Sequence, residues 1–426
     1  MDYGIGFVKS PGRVFAKVVR GFNTDPKHYL RRLRVVTMCR LLLLSILQLT
    51  TAVPISTSFA APLWRPIPDT VYLQETGRKI KTEFPLTAVA VYNGQVFLGS
   101  DSGLLRLDND QIAPDPAIPA AIRRLKVAGD SLWALAKDGL YRLETVGWTQ
   151  VQSGKVTALC EHLGKIHVAT PEGVYRLEGE EKVPLVGCRV QDSLIDMASY
   201  SETLYFLYPG RLVLFDGKEI EWENVIDWGA LPSHACRDML SLGSRLLIAT
   251  DRGVATLRGM AMTTLTGKEG LCYEDATCLA PGFADDLWIG TQRGAIRSVG
   301  EEYHYFNADR WLPHGEVRAI ACGPQVVYIA TAGGLGIIEY EPYTLAKKAA
   351  YYERHLEEWG QKRLGFVYKL EWDDTLGEWV REVSDNDCGW STHYLTAMSF
   401  KYAVTGDESA RAEAVNTFKS LKWAQD

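Results

Sequence analysis

The feature that most constrains this chain is an internal repeat. A segment of 21 residues returns seven times, with starts spaced 36, 34, 38, 42, 40 and 41 residues apart. Each copy contains an apolar strand, a turn, a more apolar strand, a turn with glycine and a third strand. The copies begin at Thr87, Arg123, Thr157, Ile195, Arg237, Thr277 and Arg318. Glycine recurs where the second hairpin requires positive φ, at Gly103, Gly139, Gly173, Gly253 and Gly294.

A fourth strand follows several copies, for instance Tyr303–Phe306. Four strands in about 40 residues are typical of a β-propeller blade, which buries its faces only against neighbouring blades. The sequence therefore predicts an all-β fold, a seven-bladed β-propeller over residues 61–341. The last blade lacks a fourth strand, so we expect Thr70–Thr82 to return and pair as its outer strand.

The first sixty residues differ from the rest. They hold nine Lys/Arg and two Asp, which gives a net charge of +7. Because the whole chain has a formal net charge of −6, residues 61–426 carry −13. Four arginines between Arg31 and Arg40 precede the apolar run Leu41–Leu49, and small residues end at Ala60. This pattern predicts a secretory signal, with Met38 as an alternative start, and a secreted or periplasmic protein with no stable membrane span. A short buried helix is the other interpretation of the run.

The remaining chain is acidic, which argues against a nucleic-acid partner, because phosphates need Lys and Arg. Seven of the eight cysteines follow Ala60. Export permits disulfides, and Cys272 and Cys278 are the closest pair. The odd number and irregular spacing of the seven cysteines favour the alternative, in which cysteines pack as small apolar residues.

The last copies resemble the two-component regulator propeller repeat. The residues that carry the likeness are "TTLTGKEGLCYEDATCLA", "DDLWIGTQRGAIRS" and "VVYIATAGGLGII". The resemblance covers about Thr87–Tyr340 and implies a seven-bladed repeat domain of the kind found in extracytoplasmic sensors and in other exported proteins. No histidine-kinase or DNA-binding segment follows the repeats in this sequence. The sequence therefore does not support a signalling role within this polypeptide.

Residues 342–426 are predicted to form a short C-terminal α-helical extension. Leu345, Ala349, Tyr352, Leu356 and Trp359 have helical spacing, which predicts an amphipathic helix. Two further segments, Trp390–Val404 and Asp407–Trp423, predict a helical hairpin with Gly406 ending the first helix and Asp407 capping the second.

This tail resembles the start of an α/α toroid in exported glycan-processing proteins. Ser384, Asp385, Asn386 and Asp387 match that group, whereas Cys388 stands where it has Gly. Trp390, Tyr394 and Tyr402 fit the helix that follows in that group, and His393 lies one turn into it. A complete toroid needs about a dozen helices, and about three are predicted in this sequence. The likeness therefore implies an incomplete, toroid-like domain.

Two sets of residues are candidates for ligand binding. Asp385 and Asp387, with Trp390 and His393, could hold Ca²⁺ or a sugar, and the alternative is that the two carboxylates cap a helix. The second set, Arg310, Trp311 and His314, lies in a loop before an inner strand. Propellers bind ligands with such loops, although Trp311 could instead pack between blades. Trp133 and Trp288 are predicted to be core residues, and Arg252 and Arg293 turn residues.

Three functions remain open from the sequence. The favoured hypothesis is an exported, non-catalytic module that binds or senses a glycan or protein ligand, because no nucleophile motif, phosphate loop or zinc motif was found. The alternatives are a fragment or divergent member of a glycan-active enzyme, with Asp385 or Asp387 as the working carboxylate, and a scaffold for protein assembly. No cofactor is predicted apart from Ca²⁺.

Overall fold

Seven four-stranded antiparallel sheets account for the seven repeats, as the sequence predicted. The computed structural model describes residues 68–425, apart from 180, 187–192, 217–224, 227–230, 260, 285 and 383. The predicted signal segment therefore lies outside the described residues. Inner strands of successive blades are adjacent, including those of blades seven and one, so the ring is closed. The strands from Val71 to Tyr343 form one compact unit, and residues 344–425 belong to a second.

In blades one to six the strands form a meander that runs in chain order from the channel outwards. Blade one comprises β2 (Leu86–Tyr92), β3 (Gln95–Ser100), β4 (Gly103–Asp108) and β5 (Gln111–Pro114), and blade two β6 (Ile122–Ala128), β7 (Ser131–Ala136), β8 (Gly139–Glu144) and β9 (Gly147–Ser153). Blade three comprises β10 (Ala158–His162), β11 (Lys165–Thr170), β12 (Gly173–Glu178) and β13 (Glu181–Pro184), and blade four β14 (Asp196–Tyr200), β15 (Thr203–Tyr208), β16 (Arg211–Phe215) and β17 (Val225–Ile226). Blade five comprises β18 (Cys236–Leu242), β19 (Arg245–Thr250), β20 (Gly253–Arg258) and β21 (Ala261–Leu265), and blade six β22 (Ala276–Pro281), β23 (Leu287–Thr291), β24 (Gly294–Val299) and β25 (Glu302–Phe306).

Blade seven joins the two ends of the repeat region. It contains β26 (Val317–Gly323), β27 (Val326–Thr331) and β28 (Gly334–Tyr343), and its outermost strand is β1 (Tyr72–Lys81), which comes from before blade one. Strand β1 pairs antiparallel with β28 from Tyr72 opposite Tyr343 to Lys81 opposite Gly334. The prediction of an N-terminal closing strand is therefore confirmed. Its pairing removes the free edge of blade seven.

A cluster of charged side chains ties β1 to blade six. Nδ1 of His304 lies 2.8 Å from Oε1 of Glu75, and a guanidinium nitrogen of Arg297 lies 3.4 Å from the same oxygen. Nε of Arg297 also donates to the fully buried carboxylate of Asp286. The ring closure thus rests on ion pairs between blades as well as on the β1–β28 ladder.

The turn between the second and third strands repeats one set of hydrogen bonds in five blades. In each, a Ser or Thr hydroxyl donates to the glycine carbonyl three residues later and accepts the amide N–H two residues later. The hydroxyls belong to Ser100, Thr170, Thr250, Thr291 and Thr331. Of the five glycines expected at positive φ, Gly139 does not adopt it; a Cβ there would lie 2.2 Å from the Gln152 carbonyl oxygen. Arg252 and Arg293 lie in these turns, as predicted.

The hydrophobic core lies between neighbouring blades. Trp288, fully buried, stacks on Phe306 of its own blade at 5.0 Å and belongs to a buried cluster that includes Val327 and Ile329 of blade seven. Trp133 is 2% exposed, so both tryptophans are core residues, as predicted. These contacts explain why each blade requires the next one.

The described residues of the second unit form three helices and two short hairpins. The helices are α1 (Leu345–Glu358), α2 (Asp387–Thr405) and α3 (Glu408–Trp423), and the hairpins β29 (Lys362–Arg363) with β30 (Phe366–Val367) and β31 (Leu370–Asp373) with β32 (Glu378–Arg381). Gly406 ends α2 at φ 70°, and Asp407 caps α3 by accepting the Ser409 amide N–H. The helical hairpin is confirmed. The predicted apolar stripe of α1 is not buried, since Leu345 is 64% and Tyr352 42% exposed.

No helix in the described part of the chain has the length and apolar character needed to cross a membrane.

Candidate functional site

A β-bulge at the start of the inner strand recurs in blades one, two, five, six and seven. In four of these blades the extra residue turns its side chain towards the next blade, whereas Arg318 of blade seven pairs with Glu316 just before its own strand. Four of these side chains donate to a main-chain carbonyl at the start of the next blade's inner strand. The donor and acceptor pairs are Thr87 with Ile122 (2.5 Å), Arg123 with Val156, Arg237 with Ala276 (3.2 Å) and Thr277 with Val317 (2.7 Å). These bonds hold the inner strands around the mouth of the channel.

The next position of the inner strand is equivalent in all seven blades, because it pairs with the penultimate residue of the second strand. Four blades have a small residue or cysteine on this level and three have a charged one. The residues are Ala88, Arg124, Ala158, Asp196, Asp238, Cys278 and Ala319. The charged residues of blades two, four and five therefore share one level of the channel.

Arg124 reaches across this level to both carboxylates. Its guanidinium lies 2.7 Å from Oδ2 of Asp196 and 3.4 Å from Oδ1 of Asp238. Lys126 lies two residues further along the same strand, and its Nζ is 4.0 Å from Oδ1 of Asp196. The small side chain of Ala158 in the intervening blade leaves space for Arg124 to extend. We call Arg124, Lys126, Asp196 and Asp238 the channel charge cluster.

The two carboxylates of the channel charge cluster differ in their environment. Burial disfavours ionisation of Asp196, but the positive charges of Arg124 and Lys126 outweigh it and lower its pKa. Burial raises the pKa of Asp238 to about 6 against the attraction of Arg124. The Leu279 amide N–H donates to Asp238 Oδ2 at 2.8 Å. The attraction of Asp196 raises the pKa of Arg124, so the guanidinium stays charged.

A cavity of about 200 Å³ opens beside Arg124 where the inner strands of blades two, three and four begin. Three of its lining side chains are cationic: Arg123, Arg124 and Lys155. The other lining residues are Leu135, Thr157, Leu194 and Ile195. Burial, together with the nearby charge of Arg124, lowers the pKa of Arg123. We call this cavity the channel-mouth pocket.

The predicted loop residues have different roles. The indole of Trp311 is part-buried, meets Phe306 edge-on at 5.2 Å and lies so close to β1 that a Cβ on Gly77 would be 2.6 Å from its ring. It therefore packs between the outer strands of blades six and seven, the second of the two interpretations. The exposed guanidinium of Arg310 lies over the indole at 4.9 Å, and His314 Nδ1 accepts the Glu316 amide N–H.

The acidic segment before α2 does not cap the helix in the expected way. The N-cap is Asn386, whose side chain makes no capping hydrogen bond, and Asp387 is the first helical residue. Oδ2 of Asp387 accepts the Ser384 amide N–H at 3.4 Å, while Oδ1 is buried without a hydrogen bond. Asp385 and His393 are exposed, as is Trp390 at 46%. Within the described residues no group of three His, Cys, Asp or Glu side chains is arranged to hold a metal ion.

The disulfide considered between Cys272 and Cys278 is not formed. Both residues are free thiols, Cys272 exposed and Cys278 buried. Cys278 takes one of the small positions on the channel level, where burial raises the pKa of its thiol to about 12. This cysteine packs as a small apolar residue, the alternative that its strand context favoured.

The channel charge cluster was missed by sequence reasoning. A signal was present in the seven copies, because the second position of the repeat has Ala in three of them and Cys in one, but Arg124, Asp196 and Asp238 in the other three. Comparing that column would have marked the charged positions. Their meeting across the channel could not be read from any one copy.

No protein-family model matches the sequence, and no curated protein matches it. Solved structures resemble the fold at low identity. Virginiamycin B lyase from Staphylococcus aureus is 12% identical, with a TM-score of 0.47 over 63% of this chain and 99% of that one. The extracellular domain of a two component system from B. thetaiotaomicron is 12% identical, with a TM-score of 0.48 over 62% of this chain and 40% of that one. YCF48 bound to D1 peptide is 13% identical, with a TM-score of 0.47 over 65% of this chain and 100% of that one.

Proposed function

We propose that this protein is an exported, non-catalytic propeller that binds a glycan or protein ligand at the channel mouth between blades two and four. The observation that carries the proposal is the channel-mouth pocket, a concave site lined by three cationic and three aliphatic side chains. Export rests on the signal pattern of residues 1–60.

The charge pairing favours binding over catalysis. The two carboxylates of the channel charge cluster both contact Arg124. Such pairing fixes the guanidinium against the pocket, whereas a general acid or base needs a carboxylate in reach of substrate. Arg124 is thus a positioned ligand-binding group, and Arg123 and Lys155 flank it.

The residues predicted from the sequence take a secondary place in this proposal. Arg310 and His314 are exposed in the loop between blades six and seven, away from the pocket of blades two to four, and form a separate proposed contact region. Asp385, Asp387, Trp390 and His393 belong to the second unit and form a separate proposed contact region, for which a Ca²⁺ requirement is the specific test.

The test is a screen of the secreted full chain on glycan and peptide arrays, with and without Ca²⁺. A ligand of the proposed kind should lose about tenfold in affinity with Lys155→Gln, since a charged hydrogen bond is removed. It should keep its affinity with Lys137→Gln, the same change at an exposed lysine on a neighbouring turn outside the pocket. Loss of binding with Arg310→Ala and retention with Lys155→Gln would instead place the site on the loop.

A further inference from the structure

The channel-mouth pocket has an excess of positive charge in an acidic protein. The channel charge cluster contributes two cations and two carboxylates, and Arg123 and Lys155 add two further cations. These six groups carry a net charge of +2, whereas the whole chain has a formal charge of −6. Composition therefore does not explain the cationic lining.

The three cations of the pocket are engaged to different degrees. Arg124 contacts two carboxylates, and Arg123 donates to the Val156 carbonyl oxygen. The Lys155 side chain is exposed and has no ion-pair partner among the described residues. The Arg124 side chain keeps 31% exposure despite its ion pairs, and Arg124 is one of the residues that line the pocket. An incoming anion can accept hydrogen bonds from Lys155 and Arg124 together.

The uncharged lining residues limit which kind of molecule can bear the bound anionic group. Leu135, Leu194 and Ile195 are aliphatic, and none of the seven described lining residues is aromatic, so these residues offer no ring on which a sugar could stack. The volume of about 200 Å³ is smaller than the roughly 300–1,000 Å³ of pockets for drug-sized ligands. It suits one functional group with a short stem.

We infer that the channel-mouth pocket binds a carboxylate on a short branched aliphatic stem. This inference rests on the proposed function for the position of the site; a peptide C-terminus falls within the proposed protein ligands, whereas a free acid would take their place as the ligand. The carboxylate lies between Lys155 and Arg124, and the stem packs on the aliphatic part of the lining, in which Ile195 is half-buried while Leu135 and Leu194 are 1% and 5% exposed. Two sources share this chemistry: a free short-chain carboxylic acid, and the C-terminus of a peptide that ends in a small aliphatic residue.

The experiment measures binding of chosen probes to the full chain by calorimetry and by ligand-observed NMR. The probes are isovalerate and its uncharged amide, isovaleramide, followed by N-acetyl-glycyl-valine and its C-terminal amide. We expect a dissociation constant on the order of 1 mM for a carboxylate probe of this size. The matching amide should bind at least about tenfold more weakly, because it lacks the charge. Binding of isovalerate supports a free acid as the source, and binding of the peptide acid alone supports a C-terminus.

Variants identify the site. Lys155→Gln should weaken the carboxylate probe about tenfold, and Lys137→Gln should leave it unchanged. Arg124→Lys keeps the charge but loses the forked geometry, and should weaken binding as well. Equal affinity for acid and amide, or failure of every carboxylate probe to bind the folded protein, would overturn the inference.

The inference and the proposed function fail in different ways. If an array ligand is lost in Lys155→Gln but no carboxylate probe binds or competes with it, the channel-mouth site stands and the carboxylate inference falls. If the array ligand keeps its full affinity in Lys155→Gln, the proposed function at this site falls, and the inference falls with it.

Discussion

Nδ1 of His304 lies 2.8 Å from Oε1 of Glu75, a residue of the strand that closes the ring. The hydrogen bond with Glu75 raises the pKa of His304. Two residues 229 positions apart in the chain are thus in contact at the junction of blades six and seven. The closure depends on a titratable pair.

The pair predicts how stability responds to substitution. Glu75→Gln removes the charge that faces Arg297 and His304, and should lower the free energy of unfolding by about 1–3 kcal/mol. Urea unfolding followed by tryptophan fluorescence measures it. Glu301→Gln, in an exposed turn, is the matched control and should change the free energy by less than about 0.5 kcal/mol. Equal effects of the two variants would show that the closure does not rely on this pair.

The same pair predicts a pH dependence. Because the folded-state pKa of His304 is raised, its contribution is complete below the unfolded pKa of about 6.5 and is lost as pH rises through the folded value. The stability difference between the native chain and His304→Gln should therefore be larger at pH 6 than at pH 9. Urea unfolding at the two pH values checks this, and a difference that grows with pH would contradict it.

The channel charge cluster predicts non-additive mutants. Arg124→Met removes the ion pair of Asp238 and leaves Asp196 with the more distant Lys126 at 4.0 Å, and should cost about 3–5 kcal/mol. Adding Asp196→Leu removes one of the two carboxylates that lost Arg124, so the double variant should be more stable than Arg124→Met alone. A double-mutant cycle in urea measures the coupling. Simple additivity would mean that the two side chains do not interact in solution.

Asp238 predicts a pH dependence of ligand binding. Its pKa is raised to about 6, so it ionises as pH rises through that value, and it faces Arg124, Asp196, Lys126 and the Leu279 amide. Protonation removes a negative charge that competes for Arg124. A carboxylate probe should therefore bind about threefold more tightly at pH 5.5 than at pH 7.5. Calorimetry at both pH values measures this ratio, and Asp238→Asn should abolish it.

Gly77 and Trp311 test the packing role of the loop tryptophan. A Cβ at Gly77 would lie 2.6 Å from the Trp311 ring, so Gly77→Ala should destabilise the fold by about 1–3 kcal/mol. In a Trp311→Leu background the same change should cost much less, because the ring that it meets is gone. Thermal unfolding of the four proteins gives the comparison. Equal costs in both backgrounds would mean that Trp311 does not pack on β1.

Much of the fold could be predicted because it depends on local spacing. The seven copies, the turn glycines and the missing fourth strand after Tyr340 are visible in the letters, and they indicated seven blades and a returning strand over Thr70–Thr82. The turn at Gly139 was the exception, since the glycine is required there by the Gln152 carbonyl and not by φ. A steric requirement of that kind depends on the neighbouring strand.

The sequence by itself determined the number of blades, the order of the strands and the helical hairpin at the C-terminus. Only the tertiary structure decided which charged residues meet. Arg124, Asp196 and Asp238 belong to three different copies of the repeat, and each looks like a single substitution of a small residue. Closing the ring brings them to one level of the channel, where low dielectric surroundings strengthen their attraction and shift the pKa of Asp238. Pairwise electrostatics of this kind depends on distances that the periodicity of a single strand does not contain.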